Sequence, residues 1–183
     1  MSDIATLNNM IHDNAKITLL DHYDKAYVLL QESDTPDSSV QIKGLPQDAV
    51  IIKIDDAFKN DQFFSGKNGE CKRADYAIIA KAGDKKRILY IEMKKTKDQR
   101  NSIVKQLKGA KCVMDYCCNI ASVFYGKSGF LSGYEPRFIS FGHTSSIRKR
   151  RTRIKRSESI HSTPENLMKI DWPANVQFSH LAG

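Results

Sequence analysis

The feature that most constrains the fold is a pair of apolar runs joined by a short polar turn. The first run, ADYAIIA, covers 74–80, and the second, RILYIEMKK, covers 87–95. Between them lies KAGDKK, in which the Gly83-Asp84 pair favours a tight reversal of the chain. Together they predict an antiparallel β-hairpin in which residues 75 and 92, equally distant from the turn, face each other.

An amphipathic helix is predicted directly after the hairpin, within 96–124. Apolar residues recur there at steps of three and four, at Ile103, Leu107, Ala110, Met114, Cys117 and Ala121. This spacing puts them on one face of a helix. We expect that face to pack against the sheet to which the hairpin belongs.

Weaker signals predict the rest of the fold. A short N-terminal helix is indicated by the spacing of Ile4, Leu7, Ile11 and Ala15. The segment ESDTPDSS, 32–39, has the composition of a turn. Strands are predicted at 26–31, 40–43, 49–54, 122–125 and 137–142, with a last edge strand at 176–181. This order of elements predicts an α/β fold with a central mixed β-sheet flanked by helices.

Length and composition narrow the class of protein. A chain of 183 residues suits one domain over 1–183. Its 40% of hydrophobic and 27% of charged residues exclude collagen-like and mostly disordered chains. Neither a membrane-spanning apolar run nor the pattern of a secretory signal is present. The cysteines and histidines lack the spacing of a zinc site or a disulfide framework. We therefore expect a cytoplasmic protein with no membrane partner.

The positive charge is concentrated in one strip. The formal net charge is +8, and the segment RKRRTRIKR at 148–156 holds seven basic residues in nine positions. They are Arg148, Lys149, Arg150, Arg151, Arg153, Lys155 and Arg156. Such a strip suits a nucleic-acid backbone or an anionic membrane surface, and its alternatives are a solvated loop or a nuclear import signal. Nucleic acid is the partner that we expect.

Candidate catalytic residues lie at one end of the predicted hairpin. Strand alternation directs Glu92 and Lys94 to one side of the sheet and Met93 to the other. Asp75 faces Glu92 across the hairpin, so Asp75, Glu92 and Lys94 converge. The two carboxylates and the Met93 carbonyl are oxygen ligands of the kind that Mg²⁺ prefers. With Lys94 to orient water and stabilise charge, this set suits phosphodiester hydrolysis. The alternative is an ordinary surface ion pair.

These residues and the helix that follows them resemble the core of the PD-(D/E)xK phosphodiesterase superfamily, which has the restriction-endonuclease-like fold. In that family an Asp lies on the second core strand, the (D/E)xK motif on the third, and a helix crosses to the next strand. The resemblance covers about 50–142 and implies that Asp75 and Glu92 are metal ligands and Lys94 the catalytic lysine. Gln106 resembles a Gln found in several branches, and an exposed helix residue is its alternative. Ala74 stands where the family has Pro.

A further metal ligand is not evident, because the N-terminal helix lacks the Glu that many members contribute. The candidate substitutes, each more typical of a loop or surface acid, are Asp13, Asp55, Asp56, Asp61 and Glu70. We therefore expect a one-metal site that binds Mg²⁺, with Mn²⁺ able to substitute.

The sequence thus leads us to expect a Mg²⁺-dependent endonuclease that acts on DNA rather than RNA. The resemblance implies relatives among restriction enzymes, junction resolvases and bacterial defence effectors, so a bacterial or phage defence or DNA-processing role is expected. Lys95, Lys97 and the strip at 148–156 would contact the nucleic-acid backbone. A homodimer or a protein partner would supply specificity.

Two alternatives to a nuclease stay open at this point. The first is a non-catalytic nucleic-acid-binding or assembly subunit that retains the nuclease fold. The second is a basic interaction protein whose hairpin charges form only surface ion pairs. Intact Asp75, Glu92 and Lys94 favour catalysis over the first alternative, because loss of catalysis usually removes one of them.

Overall fold

A computed structural model describes residues 1–22, 25–32, 35–94, 99–142 and 161–183. Its α-helices are α1 (Asp3–Met10), α2 (Ile54–Ala57), α3 (Arg100–Tyr125) and α4 (Phe178–Ala182). Short 3₁₀ helices cover Asp13–Ala15 and Pro164–Asn166. None of the helices in these ranges has the length and apolar character needed to cross a membrane.

The strands belong to two sheets. In chain order they are β1 (Lys16–Ile17), β2 (Leu20–His22), β3 (Lys25–Glu32), β4 (Thr35–Leu45), β5 (Val50–Lys53), β6 (Tyr76–Ala82), β7 (Lys85–Lys94), β8 (Glu135–Gly142), β9 (Met168–Asp171) and β10 (Asn175–Gln177). Within the described residues, one sheet has six strands in the order β1-β5-β6-β7-β8-β9. The other has four, in the order β10-β4-β3-β2.

The predicted hairpin is confirmed as β6 and β7. Its antiparallel register runs from Tyr76 opposite Ile91 to Ala82 opposite Lys85. Gly83 in the turn has a φ of 60°, a left-handed conformation that glycine adopts without steric cost. The turn residues therefore set which positions of the two strands face each other.

The six-stranded sheet is mixed. Strands β5, β6 and β7 are antiparallel neighbours, whereas β8 runs parallel to both β7 and β9. The 26-residue helix α3 makes the connection from β7 to the parallel strand β8. The α/β class and the mixed sheet flanked by helices, both predicted from the sequence, are confirmed.

Both faces of the six-stranded sheet are buried. On one face, Ile79, Tyr90 and Phe138 pack with residues of α1 and α3, and the rings of Tyr90 and Phe138 stack at 4.9 Å. All six predicted apolar residues of α3 are buried. On the other face, Ile78 and Leu89 pack with apolar side chains of β3, β4 and α4. The molecule therefore has three layers: helices, the six-stranded sheet and the four-stranded sheet.

Two local predictions are wrong, and a third has bounds that are too wide. Residues 122–125 are the last turn of α3, which ends at Gly126 with a φ of 62°. The predicted strand at 176–181 ends at Gln177, and α4 follows because Phe178 and Leu181 are both buried at helical spacing. The chain reverses direction within the predicted turn at 32–39, because β3 and β4 pair antiparallel, but β3 includes Glu32 and β4 already begins at Thr35.

Candidate active site

Asp75 and Glu92 lie next to each other at one end of the hairpin. Tyr76 pairs with Ile91, so residues 75 and 92 are the next positions along the two chains. Continued alternation puts both carboxylates on the side of the sheet that holds Tyr90 and faces α3. The hairpin register expected from the sequence is confirmed as far as Tyr76 and Ile91, and the role of Asp75 and Glu92 as metal ligands stays a prediction.

Two backbone N–H groups hold Asp75 in place by hydrogen bonds. Its Oδ2 accepts a hydrogen bond from the Met93 N–H at 2.6 Å, and its backbone carbonyl accepts one from the Ile54 N–H at 2.8 Å. Burial raises the pKa of Asp75 to about 7, although the Met93 N–H and the charge of Lys94 act in the opposite direction. A divalent cation bound at this carboxyl group would favour its charged form and so lower its pKa again.

Glu92 is fully buried, with 0% of its surface exposed. Its Oε1 lies 3.8 Å from Lys94 Nζ, and the Lys94 side chain is 27% exposed. A carboxylate with no exposed surface is not part of a surface ion pair, so the alternative of a solvent-facing Glu-x-Lys pair is wrong. The partly exposed Lys94 side chain lies beside this buried carboxylate and is in contact with the solvent, from which an anionic substrate would approach.

Two enclosed polar atoms lie on the same side of the sheet. Ser140 pairs in register with Glu92 on the adjacent parallel strand and is 1% exposed. Gln106 is half-buried and sits three positions after Ile103, on the sheet-facing side of α3. Within the described residues, neither Ser140 Oγ nor Gln106 Oε1 has a hydrogen-bond partner. Such atoms commonly bind ordered water, and a hydrated cation would supply it.

Glu32 is a carboxylate of this region that sequence reasoning missed. It ends β3, is 7% exposed, and its charge contributes to the raised pKa of Asp75. The preceding residue, Gln31, is fixed to the six-stranded sheet: its N–H donates to Tyr76 Oη at 3.2 Å, and its carbonyl accepts from the same hydroxyl at 2.5 Å. Because Tyr76 follows Asp75, this contact brings the end of β3 to the site. No signal within 32–39 indicated it.

Three of the acids considered as additional ligands lie on the surface. Asp13 forms an exposed ion pair with Lys16 at 2.8 Å. Glu70 accepts hydrogen bonds in its own loop, from Asn68 N–H at 2.8 Å and Ser65 Oγ at 3.2 Å. Asp61 is exposed. Nothing brings these three residues to the hairpin end.

The other two acids, Asp55 and Asp56, belong to α2. Asp56 forms an ion pair with Lys53, and Asp55 lies 3.4 Å from Arg73 Nη2. The charge of Asp55 also helps to raise the pKa of Asp75. Asp55 is therefore the candidate substitute whose electrostatic influence reaches the site.

The donor set fits a hydrated Mg²⁺ ion. Within the described residues, no three side chains of the His, Cys, Asp and Glu types are grouped closely enough to hold a metal on their own. A site here would combine the carboxylates of Asp75 and Glu92, the Met93 carbonyl and several waters. Mg²⁺ retains water in this way, and Ser140 Oγ and Gln106 Oε1 are available to bind it.

The predicted phosphate-binding residues cannot be placed relative to this site. Lys95, Lys97 and the basic strip lie outside the described residues, the strip being Arg148, Lys149, Arg150, Arg151, Arg153, Lys155 and Arg156. The chain matches no known protein-family model, no curated protein and no solved structure.

Proposed function

We propose that the protein is a Mg²⁺-dependent nuclease that hydrolyses phosphodiester bonds in nucleic acid. The observation that carries this proposal is the fully buried Glu92 carboxylate, with Asp75 beside it in register and Lys94 Nζ at 3.8 Å. Burying a charge costs several kcal/mol, and an oppositely charged neighbour offsets only part of that cost. Lys94 is such a neighbour of Glu92, and a bound cation would add to its effect and give the burial a chemical purpose.

Each residue of the site has a separate role in the proposed reaction. Asp75, Glu92 and the Met93 carbonyl would hold the cation, which when bound supplies a water of lowered pKa and offsets charge on the phosphate. The Met93 N–H keeps the Asp75 carboxylate in place. Lys94, whose side chain is 27% exposed, donates to a phosphate oxygen and stabilises the charge that develops there. Gln106 Oε1 accepts a hydrogen bond from the attacking water.

The order of elements supports a restriction-endonuclease-like core. Asp75 immediately precedes β6, the second of three antiparallel strands, and Glu92 and Lys94 lie on the third, β7. The helix α3 then crosses to β8, as the resemblance to the PD-(D/E)xK superfamily implies. DNA is the proposed polymer on the basis of that resemblance, and the net charge of +8 suits a polyanion. A homodimer or a partner protein would supply specificity in bacterial or phage defence or DNA processing.

A cleavage assay tests the proposal directly. Wild type, Glu92→Gln and Asp84→Asn are incubated with labelled single- and double-stranded DNA and RNA in Mg²⁺, Mn²⁺ or EDTA. Asp84 is the matched control, because it is an exposed acid in the turn at the opposite end of the same hairpin. We expect cleavage that requires the metal, is lost in Glu92→Gln and is retained in Asp84→Asn. Equal loss in both variants would contradict a specific role for Glu92.

The second candidate is a non-catalytic nucleic-acid-binding or assembly subunit with the same fold. It is favoured by the raised pKa of Asp75, because a carboxyl group that is half protonated near pH 7 is a weaker cation ligand. Salt-dependent binding of a nucleic acid that the wild type never cleaves, in either metal, would favour this candidate.

A further inference from the structure

A groove of about 750 Å³ lies between α3 and the segment 58–70. Its aromatic lining residues are Phe58, Phe63, Phe64 and Tyr116. The volume falls in the range of roughly 300–1,000 Å³ that is typical of small-molecule sites. The groove therefore has room for a planar ring the size of a nucleobase.

The aromatic side chains of the groove are unusually exposed. Phe63 is 85% exposed, Tyr116 52% and Phe64 46%. The rings of Phe63 and Phe64 meet edge to face at 4.9 Å, and those of Phe58 and Tyr116 at 6.1 Å. Exposed aromatic rings that line a concavity are available to stack on a planar ligand.

Basic side chains accompany these rings. Among the described residues, Lys59 and Lys105 of the groove form no ion pair. Lys108 is paired with Glu165 at 2.7 Å on the surface. Glu70 is the one acidic residue of the lining, and its carboxylate accepts hydrogen bonds from its own loop. The lining therefore carries an excess of positive charge together with exposed aromatic rings, the combination that binds single-stranded nucleic acid.

The groove lies close to the candidate active site. A Cβ atom on Gly109 would lie 1.7 Å from the Lys72 carbonyl oxygen, so α3 is in backbone contact with the chain just before Asp75. Lys72 Nζ also donates to Ser102 Oγ at 3.0 Å. Glu70 in the groove and Asp75 in the site are five positions apart in the chain, a span of at most about 18 Å. A nucleic-acid strand could reach both places at once.

We propose that this groove binds an unpaired base of a single-stranded nucleic acid, with Phe63 and Tyr116 as stacking surfaces and Lys59 and Lys105 as phosphate contacts. The proposal builds on the nuclease function, because it identifies single strands, or unpaired nucleotides next to a duplex, as the substrate of the neighbouring site. Stacking on an aromatic ring accepts every base, so the groove provides strand type rather than sequence specificity.

The test is a binding measurement in EDTA, where cleavage cannot occur. Fluorescence anisotropy is recorded with labelled oligothymidylate, oligouridylate and a self-complementary DNA duplex, on wild type, Phe63→Ala and Phe124→Ala. Phe124 is the matched control, because it is 75% exposed on the same helix as Tyr116 but outside the groove. Thermal unfolding checks that both variants are folded, which we expect because both side chains are exposed.

We expect Phe63→Ala to weaken single-strand binding about 5- to 100-fold, the range for loss of one stacked base, with little change for the duplex. Phe124→Ala should bind like the wild type, and the two homopolymers show whether the groove prefers DNA or RNA. Unchanged single-strand binding in Phe63→Ala would overturn the proposal. The proposal would also be overturned if light scattering showed a wild-type dimer that is lost in Phe63→Ala while single-strand binding is unchanged. A second copy of the chain would then fill the groove.

The outcomes also separate this proposal from the nuclease function. If single strands bind through Phe63 and no substrate is cleaved in Mg²⁺ or Mn²⁺, the groove is supported and the nuclease function fails. If Phe63→Ala cleaves and binds single strands as the wild type does, and Glu92→Gln cleaves nothing, the groove fails and the nuclease function stands.

Discussion

The carboxylate of Asp75 accepts a hydrogen bond of 2.6 Å from the backbone N–H of Met93, the residue between Glu92 and Lys94. One contact thus connects the acid that precedes β6 to the part of β7 that carries the other two candidate catalytic residues. Because Met93 belongs to β7 and Asp75 directly precedes β6, the sheet holds both ends of the contact in place, which suits the precise placement that catalysis requires.

The raised pKa of Asp75 predicts a specific pH dependence of stability. Its pKa is about 7 in the folded protein, chiefly through burial, above the usual value for an unfolded chain. The folded state therefore binds more protons than the unfolded state between about pH 4 and pH 7, and the free energy of unfolding falls over this range by on the order of 3 kcal/mol. Asp75→Asn should remove this fall, because an amide does not titrate in this range. Its oxygen can still accept the hydrogen bond from Met93 N–H, so the local structure is kept.

Urea unfolding in EDTA at pH 5 and pH 8 measures the effect. The difference between the two pH values should be larger for the wild type than for Asp75→Asn. Asp61→Asn, at an exposed position, should behave like the wild type. If the free energy of unfolding changes equally with pH in the wild type and in Asp75→Asn, the Asp75 carboxyl group does not have a raised pKa.

Mg²⁺ should stabilise the folded protein through Glu92. A cation that binds only the folded state at 100 times its Kd adds about 2.7 kcal/mol to the free energy of unfolding. Glu92→Gln should lose this gain, and its stability in EDTA should be close to that of the wild type, because the remaining Lys94 side chain is 27% exposed and water can solvate its charge. Thermal unfolding with and without Mg²⁺ measures both effects. A marked loss of stability in EDTA would instead indicate that the 3.8 Å pair with Lys94 is structural.

Lys94→Gln should separate catalysis from metal binding. The side chain lies beside Glu92 but is 27% exposed, so we place it on the phosphate rather than on the cation. Loss of one group that stabilises charge in the transition state typically slows the reaction by about 10²- to 10³-fold. Single-turnover cleavage should show this decrease while Mg²⁺ still raises the unfolding temperature. Lys81→Gln, at the exposed far end of β6, should cleave at the wild-type rate.

Gly109→Ala should destabilise the protein although it lies inside a helix. Alanine normally stabilises a helix interior relative to glycine by about 1 kcal/mol. Here the new Cβ would meet the Lys72 carbonyl oxygen, and the forced shift should reverse the sign, with a net cost of about 1–3 kcal/mol. Urea unfolding measures the change. Asn119→Ala, exposed on the same helix, should be neutral or slightly stabilising, and a stabilising Gly109→Ala would contradict the close backbone contact.

Sequence reasoning succeeded where a signal is local. Gly83 and the apolar alternation around it predicted the hairpin and the pairing of residues 75 and 92, and the three- and four-residue spacing predicted the buried face of α3. It failed where a short segment has two possible structures, as at 122–125, because four residues are too few to distinguish a strand from the end of a helix. The strands β1 and β9 were missed because distant partners define them, and β2 was missed because three residues are too few to show a strand pattern.

The sequence by itself thus determined which residues of the hairpin face each other and which side of α3 is apolar, because both depend on the fixed periodicity of the backbone. Only the tertiary structure decided that Glu92 is fully buried, since β8 and α3 cover it, and that Glu32 approaches Asp75 through the contact of Gln31 with Tyr76. The groove beside Phe63 is likewise a product of the tertiary structure, in which α3 approaches the chain closely at Gly109 and Lys72. Such contacts join residues far apart in the chain, and no local pattern encodes them.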